Sequence, residues 1–102
     1  MSESFMADRV ESAVAAGLPP AVASATLAEV LRFVRMLAEA KAAQASGVSV
    51  APLWRGDPLD VIAAEVERRR LLADPGLPLW CAACERVRVD VEFLTMCREL
   101  AI

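Results

Sequence analysis

The chain contains no histidine and no tyrosine, a single lysine (Lys41), and only four glycines, none next to another. Without histidine there is no Ser-His-Asp or Cys-His catalysis, no imidazole acting as general acid or base, and no histidine-containing zinc site. Isolated glycines rule out a phosphate-cradling loop, which needs them clustered. Charges interrupt every apolar stretch before it reaches the ~18 residues of a membrane helix, so no membrane is expected as a partner. Glu3, Asp8, Arg9 and Glu11 lie where a secretory signal would need a basic start and an apolar run. Three cysteines are an odd number for a disulfide framework. On these features the chain is expected to be cytoplasmic.

Apolar residues nevertheless make up 57% of the 102 positions, and the net charge is −3. Much of the apolar share is alanine, which favours helix. The aromatics are Phe5, Phe33, Trp54, Trp80 and Phe93, so leucine and valine must form most of a core. The negative balance points away from nucleic acid, which needs a basic surface. The excess of arginine over lysine is read as genomic base composition.

Glycine and proline divide the chain into four helical segments, forming one all-α domain over residues 1–102. The first is expected from about Ser4, a candidate N-cap, to Ala16, with Gly17 as the stop and Leu18-Pro19-Pro20 as the turn. The second runs from about Ala21 to Ser46 and is ended by Gly47. Val48–Gly56, with Pro52, Trp54 and Gly56, is the one irregular loop. Asp57-Pro58-Leu59-Asp60 then opens a third helix with an N-cap acid, a proline at the first position and an acid in the first turn. That helix should end near Ala73, before Asp74-Pro75-Gly76. A fourth starts at Pro78 and could reach the C-terminus. The alternation from Val87 to Phe93 also fits a strand, but the three- and four-residue spacing of Leu77, Trp80, Cys84, Val87, Val91 and Leu94 favours helix.

At ~100° per residue the two longest helices each show two apolar faces. In the second helix Leu27, Val30, Leu31, Val34, Leu37 and Ala38 form one face, with Val22, Phe33, Met36 and Ala40 opposite. In the fourth, the second face holds Ala82, Val89, Phe93, Met96 and Leu100. A helix on the outside of a monomer needs only one such face. The reading is therefore a non-enzymatic helical interaction module: an adaptor, inhibitor, assembly factor or small subunit that binds another protein or itself. Phe33, Met36, Val89, Phe93, Met96 and Leu100 are its candidate interface. The competing arrangement is that the Trp54 loop or close helix packing covers these faces within the chain.

Trp80-Cys81-Ala82-Ala83-Cys84 is the one motif that could carry chemistry, as a dithiol redox site or, with Cys97, a metal site. It resembles a thioredoxin active-site turn over these residues alone; the βαβ frame that turn requires is missing, and the family is set aside. On a continuous helix Cys97 lies about 20 Å from Cys84, too far to share an ion within one chain. The cysteines are therefore expected to be small buried hydrophobes, with no cofactor, and a metal or redox role is the alternative. Asp57/Asp60 and Glu65/Glu67 are read as capping and solvated acids. Arg68-Arg69-Arg70 is read as a solvated face, since consecutive helical positions point in different directions. Far-UV circular dichroism should show at least ~60% helix, about twice the share of an ordinary globular protein; a strand-dominated spectrum would refute the fold.

Overall fold

The computed structural model describes residues 2–89, and among them the protein is all-α, without strands. Helix α1 spans Ser2–Ala15, α2 spans Pro20–Ala45, α3 spans Pro58–Leu71, and α4 spans Leu77–Val89, the last described residue. A single 3-10 turn, Pro52–Trp54, interrupts the loop between α2 and α3. The first helix starts earlier than its sequence signal, which leaves Ser4 inside the helix and not at its cap. Val87 and Val89 are helical, which settles the start of the ambiguous stretch; its remainder lies outside the described residues.

Three helices end in the same way. After α1 the Gly17 N–H donates to the Val14 carbonyl and the Leu18 N–H to that of Ala13. Gly47 and Val48 repeat this pattern after α2, and Ala73 and Asp74 after α3. Such Schellman ends need a left-handed residue, which Gly17 (φ 115°) and Gly47 (φ 80°) supply without strain. The third helix uses Ala73 at φ 53°, where its Cβ crowds the backbone. Its start is conventional: the Asp57 carboxylate accepts the Leu59 N–H at 2.8 Å, the expected cap.

Helix α4 packs against all three others. Its buried line is Leu79, Trp80, Ala83 and Val87, joined by Ala82. This corrects the expected face, since Leu77 and Cys84 are only half-buried at its edge while Leu79 and Ala83 are fully buried. Val30, Val34 and Leu37 of α2, Val61, Ile62 and Val66 of α3, and Met6 and Ala13 of α1 complete the core. Leu72, which follows α3, is 63% exposed. Close approach at the start of α4 depends on Gly76: a Cβ there would sit 2.9 Å from Thr26 Cβ on α2, and closer still to the rest of that side chain.

Ala73→Gly should raise stability by up to ~1 kcal/mol, relief of left-handed strain outweighing the added freedom of the unfolded chain. Thermal and urea melts measure it; a lower Tm would show that Ala73 is not strained.

Candidate interaction surfaces

Two aromatic contacts govern the middle of the bundle. The ring of Phe33 lies 5.2 Å from Trp54 and meets Trp80 edge-on at 5.4 Å. Trp54 reaches this position because α2 ties the loop down: Gln44 Nε2 donates to the Trp54 carbonyl at 2.8 Å, and Lys41 Nζ donates to the Gly56 carbonyl. Phe33 is thereby half-buried against the core, which corrects its expected place on an open second face. The loop supplies the cover. Ala40, from the same expected face, is also buried. Met36 is not, and remains 44% exposed. Val89 closes α4 at the edge of the described residues, and Phe93, Met96, Leu100 and Cys97 lie outside them.

Trp80 is 1% exposed, and the guanidinium of Arg69 lies over its ring, 4.6 Å from the centroid. Arg69 also bridges three acids: Glu65 Oε1 at 2.8 Å, Asp74 Oδ2 at 2.8 Å and Glu29 Oε2 at 3.1 Å. Its side chain is only 19% exposed, so the expected solvated arginine face is corrected at its central member. Arg68 and Arg70 do fit that expectation, exposed and pairing with Glu65 and Glu67. Glu65 is likewise not simply a solvated acid. The hints were present in the sequence. Glu65 precedes Arg69 by four residues, and Asp74 and Arg69 occupy the two Schellman positions that usually make an apolar contact. Neither spacing, however, says that the guanidinium will meet a tryptophan from another helix.

Burial pushes the carboxyls of both Glu65 and Asp74 upward, and stronger effects reverse it. Hydrogen bonds and charge from Arg68 and Arg69 hold Glu65 below the usual carboxylate range. The Gly76 N–H and Arg69 do the same for Asp74.

Among the described residues the exposed large apolar side chains are Met36, Val48, Leu71 and Leu72. Leu71 is 79% exposed and Leu72 63%, both at the end of α3. A groove of about 500 Å³ opens between the turn leaving α1 and the loop entering α4, with Ala13, Ala16, Leu18, Pro19, Pro75 and Pro78 in its walls. Cys81 and Cys84 are free and half-buried, not enclosed in the core as expected. Burial raises the Cys84 thiol pKa, and Arg88 partly offsets this. Among the described residues no helix is long and apolar enough to cross a membrane, and no group of three or more potential metal ligands forms. Comparison of the chain with protein families, with curated proteins and with solved structures finds no match in any of them.

Because the folded-state pKa values of Glu65 and Asp74 are lowered, their stabilisation is complete above the ordinary carboxylate pKa of about 4 and is lost as pH falls through the folded values. The Tm should hold steady down to about pH 5 and fall below it. Arg69→Met should cost on the order of 2–3 kcal/mol at pH 7, by leaving half-buried carboxylates without their cation, and should flatten the acid limb. Identical melts for wild type and Arg69→Met across that range would show that the cluster is passive.

Proposed function

We propose that the protein is a non-enzymatic helical interaction module that binds another protein or a second copy of itself through apolar surface at its helix ends and on α2. The observation that carries this reading is the adjacent pair Leu71 and Leu72, held 79% and 63% exposed at the end of α3. Two neighbouring leucines at a helix end present desolvatable area that the described residues leave open, and Pro75, three residues further on, lines a groove walled by alanine, leucine and proline. Ala73 supports the reading: a left-handed non-glycine residue immediately after them is retained at a cost, as happens where backbone geometry serves binding. Met36 extends the available surface onto α2.

The chemistry of the whole chain agrees with binding rather than catalysis, since without histidine it lacks the side chain that most often moves protons near neutral pH. Its net charge of −3 favours a protein partner over nucleic acid. Free half-buried thiols suit the reducing cytoplasm, where we place the protein.

Light scattering after gel filtration, with EDTA present, tests the reading. Wild type should associate as its concentration rises, and the double change Leu71→Glu with Leu72→Glu, or Met36→Glu, should shift it toward monomer. Because these side chains are exposed, folding stability should move by no more than about 0.5 kcal/mol. A wild type that remains monomeric and co-purifies with no partner through these residues would overturn the proposal.

A further inference from the structure

Cys81 and Cys84 stand one turn apart on α4, both half-buried and both free. Leu77, Cys81, Cys84 and Arg88 follow one another at steps of four, three and four residues, and so share one stripe along the helix. The stripe runs beside the buried line of Leu79, Trp80, Ala83 and Val87. Both cysteines pack against the core on one side and keep part of their surface in solvent.

Two thiols so placed could close a disulfide or share a soft cation. Side chains three residues apart on a helix have Cβ atoms about 5–6 Å apart, whereas a disulfide wants about 3.5–4.5 Å. Closing that gap would bend α4 where Trp80 and Ala83 are locked in the core. A tetrahedral zinc ion, with Zn–S bonds of about 2.3 Å, needs its sulfurs only about 3.8 Å apart, and that is reached by turning each sulfur about its Cα–Cβ bond. The pair therefore suits a thiophilic cation and supplies half of a four-thiolate set.

No third ligand joins them among the described residues, and the chain has no histidine. A second copy offers the same pair, and a two-fold axis beside the stripe would bring the two pairs together. The charges also match. A divalent ion with four thiolates keeps two negative charges, and each copy brings one Arg88, a turn beyond Cys84 on the same stripe. Glu85, the acid beside Cys84, is engaged by Arg9 of α1 at 3.7 Å.

We propose that one zinc-class cation bridges two copies of the chain, held by Cys81 and Cys84 from each. Binding releases the thiol protons to solvent as the thiolates ligate the ion. The inference rests on the interaction-module reading, and names the partner as a second copy and the interface as the α4 stripe.

The test uses reduced, metal-stripped full-length chain, below the concentration at which it associates in EDTA. It is titrated anaerobically with cobalt(II) or zinc(II) and followed by thiolate-to-cobalt absorption and by light scattering. Saturation is expected at about one ion per two chains with a doubling of mass. Both signals should be lost in Cys81→Ser and Cys84→Ser, and in Cys84→Ala, which keeps the site apolar, and both should be retained in Cys97→Ser. Saturation at one ion per chain without a change of mass, undiminished binding in Cys84→Ala, loss of binding in Cys97→Ser, or no binding at all would each overturn it. If the cation fails to bind while Leu71→Glu with Leu72→Glu still abolishes association in EDTA, only the bridge is refuted. A chain that associates only with the cation refutes the apolar-surface reading and leaves the bridge standing.

Discussion

Trp80 is the side chain on which the rest of the bundle depends. It is the largest fully buried residue, and it sits on α4, which packs against all three other helices. Its ring receives the edge of Phe33 from α2 and the guanidinium of Arg69 from α3. Its indole Nε1 is buried without an acceptor among the described residues, so it stabilises by packing, aromatic geometry and a cation over its face rather than by hydrogen bonding. A ring of this size contributes a large share of a core that is otherwise mostly valine and alanine. That share explains how a chain with few aromatics can do without tyrosine.

Around this centre the polar groups act as ties. Arg69 links α2 through Glu29, its own helix through Glu65, and the loop entering α4 through Asp74. Lys41 and Gln44 draw the α2–α3 loop back so that Trp54 roofs Phe33. The two arrangements solve one problem. Helix α2, at 1.5 Å per residue, would be about 39 Å long, close to the 44 Å long axis of the molecule. The 14-residue α1 and α3 are about half as long as α2, and the loop carrying Trp54 covers part of what they leave.

What stays uncovered is informative for the same reason. Met36, Val48, Leu71 and Leu72 stay exposed. Cys81 and Cys84 lie on the stripe of α4 beside the buried line, half-buried against the core. The second apolar face of α2 is thus covered from within where the loop folds onto Phe33, and stays exposed at Met36.

Helix number, helix type and most boundaries were legible in the residues themselves, because they follow from local rules. Gly17 and Gly47 permit left-handed caps, Pro58 pre-sets the first helical turn, and Asp57 accepts an amide of that turn. The apolar period likewise marked Val30, Val34 and Leu37 as one buried face. It did not fix which flank of α4 is buried, since Trp80 and Val87 are compatible with a face centred on Cys84 or on Ala83. That choice belongs to tertiary packing, where the space left by α2 and α3 accommodates Leu79 and Ala83. The same holds for Phe33, roofed by a loop, and for Arg69, set over a tryptophan from another helix. Local spacing determines which residues share a face; only the packed chain decides what that face meets, because contacts between residues far apart in sequence arise from the shape of the whole core.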